Sequence, residues 1–269
     1  MLKVRILTAA VLGALLLITL FLLPAASTRL VFGAVFVCGA WEWARFGGLR
    51  SAAARGAYAL AIGLLLVLGW RCSADPARLA WLLRAACLWW LAAFLWLSLA
   101  PTRHRPLLTL ACGVPVLLPA FVAIARMQAG HGVVRGPLAV LWLLLIVFSA
   151  DIGAFFAGRK FGRLKLAPRV SPSKTWEGVI GGLAAVALVA WRAAAVFRVP
   201  TAAAVGFGCA VGLFSIVGDL TESMFKRAAG LKDSGTLLPG HGGILDRIDS
   251  IAAAAPLYAL GLFGSGMFA

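Results

Sequence analysis

Acidic residues are scarce in this chain: nine Asp and Glu among 269 residues, against 25 Lys and Arg. Histidine (three) and tyrosine (two) are scarcer still, and charged residues make up 13% of the chain, where a soluble domain carries about 25%. The hydrophobic share is 62% and the mean hydropathy +0.99. These shortages exclude a soluble globular enzyme, a disordered chain and a fibrous one. Cysteine is thinly spread as Cys38, Cys72, Cys87, Cys112 and Cys209, with no CxxC, which gives neither a disulfide framework nor a zinc site. No Walker A, GxSxG or HExxH pattern occurs, so those chemistries lack support. The formal net charge of +16 would suggest nucleic acid in a soluble chain. Here it reads as loop cations held on the cytoplasmic side against anionic lipid.

Long uncharged runs are present instead, among them 6–23, 138–149 and 179–190. A spanning helix needs ~20 mostly apolar residues. The pattern predicts nine: 6–24, 29–46, 57–70, 79–100, 107–125, 137–157, 178–197, 201–220 and 251–268. The fold class expected is an all-α polytopic membrane protein. Arg84 and Arg192 fall within such stretches and should snorkel; Trp70, Trp81 and Trp191 suit interface anchors, Trp89 and Trp90 packing. With the N-terminus inside, 17 cations lie on the cytoplasmic side and eight on the outer side, Arg29, Arg71 and Arg126 among the eight. That bias predicts N-in, C-out. Lys3 and Arg5 ahead of the first run resemble a secretory signal peptide, but its apolar run exceeds the usual ~7–15 residues, so an uncleaved helix is expected. We divide the chain into N-terminal helices, 1–106, and C-terminal helices, 107–269, within one membrane unit.

The carboxylates mark the chemistry. Only Glu42 and Asp75 lie in the N-terminal half; Asp151, Glu177, Asp219, Glu222, Asp233, Asp246 and Asp249 lie in the C-terminal half, several within or against apolar helices where a bare acid is costly. If the eighth helix continues, Asp219, Glu222 or Ser223, and Lys226 share one face. The glycine-rich stretch 230–243 follows, where backbone amides can approach an anion closely, then Asp246, Arg247 and Asp249. Carboxylates flanking a basic, glycine-rich loop suit a hard cation holding phosphates. A second patch pairs Asp151, about two turns from its helix's cytoplasmic end, with a basic loop ending in SPSKTWEG (171–178). Its Ser and Thr suit an N-cap, and a helix N-terminus suits an anion. Glu42 and Arg45 have the spacing of an intrahelical interface pair. His241, inside the glycine-rich loop, suits a phosphate contact.

The stretch SMFKRAAGLKDSGTLLPGHGGILDRID, residues 223–249, resembles the signature of the phosphatidate cytidylyltransferases (CDP-diacylglycerol synthases), with no departure across its 27 positions. Residues 171–178 and the Asp151 region resemble the family's other characteristic stretch, and Glu42-Trp43 does so weakly. Length and helix count fit the bacterial enzymes. The resemblance implies that CTP and phosphatidic acid give CDP-diacylglycerol and pyrophosphate, with Mg²⁺ required and K⁺ as a companion ion. It implies a homodimer in the bacterial inner membrane, its polar cavity open to cytoplasm and lipid. Metal-binding acids would fall on Asp219 and Asp246, with Asp249 or Asp233 supporting. Asp219, Asp246, Asp249, Lys226 and Arg247 are then the candidate catalytic residues. Ser223, Arg227, Lys232 and His241 join the phosphate-binding set, while Ser171, Ser173 and Lys174 would take the lipid phosphate or part of the nucleotide. No nucleic-acid partner is expected. A CTP-dependent enzyme acting on another lipid is the nearest alternative; a secondary transporter, which usually shows paired halves, is further off.

Overall fold

The protein is described here by a computed structural model covering residues 2–99, 105–130, 135–237 and 242–265, with side chains described from residue 10. The nine apolar stretches are nine helices: α1 (Leu2–Phe21), α2 (Ala25–Phe46), α3 (Ala52–Cys72), α4 (Pro76–Leu99), α5 (Pro106–Gln128), α6 (Gly136–Phe161), α7 (Trp176–Phe197), α8 (Thr201–Ala228) and α9 (Leu245–Gly264). Among the described residues six of them, α3 to α8, are long and apolar enough to cross a membrane. Arg84 lies over the Trp81 ring and Arg192 over Trp191, both tryptophans more than half exposed. Trp90, at 2% exposed, is core.

Helix α9 is the axis of the bundle. Its run Ala252–Ala255 is fully buried, and α2, α4, α5 and α8 all pack on it. Small side chains there let neighbouring backbones approach, and close packing holds helices together where lipid supplies no hydrophobic drive. The same device joins α6 to α7. A β carbon at Gly153 would lie 2.6 Å from the Gly181 carbonyl oxygen, and one at Gly182 would lie 2.7 Å from that of Ala150. The two backbones therefore touch on either side of Asp151, at Ala150 and Gly153.

At the end of the bundle that carries the acids, three helix ends run past the expected ones. Helix α6 runs four residues past the expected 157, α8 runs eight past 220, and α9 begins six before 251. In each case the extension carries charged residues, so hydropathy stops counting while the backbone hydrogen bonds continue. The basic loop after α6 is also not irregular. Lys165–Ala167 (β1) and Ser171–Thr175 (β2) form an antiparallel hairpin, with Lys165 opposite Thr175. Val170 anchors it at 2% exposed. At its base the Leu164 N–H donates to Glu177 Oε1 at 3.1 Å, and the Trp176 N–H donates to the Leu164 carbonyl at 2.9 Å. Thr175 then caps α7, its hydroxyl accepting from the Gly178 N–H at 3.1 Å, as the N-cap reading anticipated.

Candidate active site

The hairpin carries Lys174 to the acids of the helical bundle. Its Nζ stands 2.7 Å from Asp219 Oδ2 on α8, and the Ser223 hydroxyl, one turn further along, donates to Asp219 Oδ1 at 3.3 Å. Asp151 on α6 lies within electrostatic reach of Asp219, Lys174 and Arg247. Asp249 on α9 is within reach of Asp219, Lys226 and Lys174. Between α6, α7 and the hairpin lies a cavity of about 630 Å³, lined at its polar end by Asp151, Arg159, Ser173, Lys174 and Asp219. Its wall includes Phe155, 57% exposed on the outer surface of α6. A polar head and an apolar tail could thus share one cavity.

A second cluster sits beside the first, at the entrance to α9. Lys226, on the same face of α8 as Asp219, lies 3.1 Å from Glu222 Oε1 and 2.5 Å from Asp246 Oδ1. The Asp246 carboxylate receives three more hydrogen bonds on Oδ2: from the Ser234 amide (3.0 Å), the Ser234 hydroxyl (2.8 Å) and the Gly243 amide (3.1 Å). A carboxylate in the first turn of a helix is favoured by the exposed amides and the helix dipole. The glycine-rich loop was expected to present its amides to a phosphate; the amides of Ser234 and Gly243 hold Asp246 instead. Glycine at 242, with φ +83°, provides the left-handed turn into α9.

Glu42 overturns its sequence-based reading. It is 1% exposed and forms no pair with Arg45. Its Oε2 accepts from the Ser234 hydroxyl at 3.0 Å and from the Leu245 N–H at 2.8 Å, partners about 200 residues away in the chain. Arg45 Nη1 donates to the Ser234 carbonyl at 2.8 Å. The loop before α9 is therefore fastened to α2, and the site draws on the N-terminal half as well. A β carbon at Gly235 would collide with the Glu42 carboxylate, which explains glycine there better than any phosphate does. Local spacing could not reveal these partners; the cue was a glutamate facing apolar neighbours in WEW.

The remaining candidates are placed as follows. Arg247 is exposed at the start of α9, Lys232 is exposed in the loop, and Arg227, also exposed, donates to the Leu231 carbonyl at 3.4 Å. Ser171 and Ser173 lie on β2, and only Ser173 of the two lines the cavity. His241 lies outside the described residues. Five acids (Asp151, Asp219, Glu222, Asp246, Asp249) thus gather around three cations (Lys174, Lys226, Arg247). A chain of net charge +16 concentrates its few acids at one end of the bundle.

The sequence profile of the Cytidylyltransferase family matches residues 3–263 of the chain. A phosphatidate cytidylyltransferase of Pseudomonas aeruginosa is 43% identical over 279 aligned residues, covering 99% of this chain and 98% of that protein. One of Haemophilus influenzae is 38% identical, covering 96% and 98%. One of Brucella suis is 48% identical over 131 residues, 47% of this chain.

Proposed function

This chain belongs to the cytidylyltransferase family, and from that membership we propose that it transfers the cytidylyl group of CTP to phosphatidic acid, releasing pyrophosphate. It is an integral membrane protein. The observation that carries the reading is the cavity holding the Lys174–Asp219 pair at its polar end and Phe155 on its outer side. It suits a substrate that is a phosphate monoester at one end and a hydrocarbon at the other.

The chemistry asks little of a base. An oxygen of the lipid phosphate, already anionic, attacks the α-phosphorus of CTP, and the bond to pyrophosphate breaks; no proton need move. The obstacle is bringing two polyanions together, which positioning and fixed positive charge overcome. Lys174 and Arg159 face the cavity and would take the lipid phosphate. Arg227, Lys232 and Arg247, exposed above α9, would take phosphates of the nucleotide and the departing pyrophosphate. Lys226 is committed to Glu222 and Asp246, so its service is to fix Asp246 and the loop.

A divalent cation fits the charge of the site: the five acids outnumber Lys174, Lys226, Arg247 and the cavity's Arg159 by one. Among the described residues no three acids converge on a point where an ion would bind, and Asp246 is the more heavily engaged, with four donors on its carboxylate against one on each oxygen of Asp219. Asp219 and Asp249 are therefore the first candidates to hold Mg²⁺, with Asp246 following only if Lys226 withdraws. When bound, the ion would neutralise charge on the triphosphate and favour loss of pyrophosphate. The positive-inside count supports an N-in, C-out arrangement with this end in the cytoplasm. The bacterial relatives support the inner membrane, and the resemblance supports nine spans, a homodimer and a companion K⁺.

Lys174→Met should lower kcat/KM on the order of 10²–10³-fold, as loss of one positioned charge does at a phosphoryl centre. Asp219→Asn should lower it at least as far. Both are read as pyrophosphate release from protein that elutes as the wild type does. Near-full turnover in either variant would contradict the assignment.

A further inference from the structure

The opposite end of the bundle holds an unassigned pocket of about 700 Å³, where α2 begins and α3 and α5 end. Arg29, Arg71 and Arg126 line it, and Trp70 stands among them. The Arg29 guanidinium lies 4.4 Å from the Trp70 ring centre and that of Arg126 lies 3.8 Å from it. Arg126 is partly occupied: its Nε donates to the Ser73 hydroxyl at 2.9 Å and its Nη2 to the Trp70 carbonyl at 2.5 Å, closing the C-terminus of α3. Arg29 and Arg71 have no carboxylate or carbonyl partner among the described residues. The adjacent acid, Asp75, is taken by Arg78 at 3.4 Å. Arg29 and Arg126 are both half-buried and within electrostatic reach of each other. Like charges held together at a membrane end without a counter-charge lack an anion.

Below the arginines the pocket becomes apolar. Gly33 and Ala34 on α2 and Gly63 on α3 leave a groove, and Leu30 and Val67 at its rim are 73% and 58% exposed. We propose that this pocket binds an anionic glycerophospholipid of the leaflet opposite the acid cluster, its phosphate on Arg29 and Arg71 and an acyl chain between α2 and α3. Guanidinium pairs with phosphate oxygens in a two-pronged geometry that ammonium lacks. Cations stacked on an indole face are held at the interface rather than released to water. The occupant is a lipid rather than free phosphate because the groove continues into the hydrocarbon zone, where phosphate alone has nothing to fill. The site also accounts for three of the eight cations that the charge bias assigns to the outer side.

The test is native mass spectrometry of delipidated, detergent-purified protein titrated with phosphatidylglycerol, which, as a phosphodiester, cannot serve as the cytidylyl acceptor. The variants are the double change Arg29→Gln with Arg71→Gln, the groove-filling Ala34→Trp, and Lys174→Gln as the control at the opposite end. Arg126 is left intact because it closes α3. The wild type and Lys174→Gln should retain one phosphatidylglycerol more than either pocket variant, whose affinity should fall at least tenfold. Phosphatidylcholine of the same acyl chains should be retained at least tenfold more weakly, and millimolar inorganic phosphate should leave the bound lipid in place. Equal retention by the arginine variant overturns the proposal. So does loss with Lys174→Gln instead, equal retention of phosphatidylcholine, or displacement by phosphate.

Discussion

Lys226→Met should destabilise the protein by about 3–5 kcal/mol, the usual consequence of removing one partner from a buried ion pair, and should abolish turnover. Its Nζ is shared between Glu222 and Asp246, and the side chains are 11%, 3% and 14% exposed. Without the ammonium, two carboxylates face each other in a medium that screens them poorly. The two acids should respond unequally. Asp246 keeps the Ser234 and Gly243 donors on Oδ2. Glu222 has only Lys226 within ion-pair distance, and neither of its oxygens is hydrogen-bonded among the described residues. Adding Glu222→Gln to Lys226→Met should therefore restore much of the stability, because an orphaned charge becomes neutral, while turnover stays lost. Thermal unfolding in detergent reads the first effect and pyrophosphate release the second. A single variant that loses under 1 kcal/mol, or a double variant no better than the single, would contradict this arrangement.

Glu42→Ala should cost about 2–3 kcal/mol, since hydrogen bonds to a charged acceptor contribute about 1.5–3 kcal/mol. It leaves the Leu245 amide and the Ser234 hydroxyl without their partner on α2. The functional effect should be larger than the stability loss suggests. The loop that Glu42 fastens also positions Asp246, and a misplacement of about 1 Å at a reacting centre can lower the rate on the order of 10²-fold. Well below the melting temperature, Glu42→Ala should lower kcat with little change in the KM for CTP, and Glu42→Gln should recover part of it through its remaining oxygen. An intrahelical surface pair with Arg45 would instead be worth about 0.2–0.5 kcal/mol. A loss that small, with unchanged kcat, would return Glu42 to that role.

These two residues show where the sequence was legible. The Asp219-to-Lys226 face followed from helical spacing alone, because i and i+4 partners are fixed by the helix. Among the described residues nine helices match the nine apolar stretches, and for α3 to α8 the reason is that a hydrocarbon core sets both length and composition. Legibility ended where partners come from far along the chain. Lys174 and Asp219 were both singled out, but in separate patches, since only the hairpin brings them within 2.7 Å. That hairpin was hidden because its strands have three and five residues and no alternation of apolar side chains. Glu42 was misassigned because a nearby arginine offered a sufficient local explanation, while its real partners lie on the loop before α9. Gly235, Gly242 and Gly243 do permit close approach, but the approaching groups include the protein's own Glu42 and Asp246.

The measurement closest to the central claim is pyrophosphate release by the detergent-purified protein given CTP, Mg²⁺ and phosphatidic acid, with each omitted in turn. Release that requires all three and leaves a CDP-linked lipid is the result expected from a cavity with Lys174, Arg159, Asp151 and Asp219 at its polar end and an apolar wall, beside the Lys226–Asp246 cluster. Folded protein that leaves CTP intact with every phosphate-monoester lipid offered would contradict it.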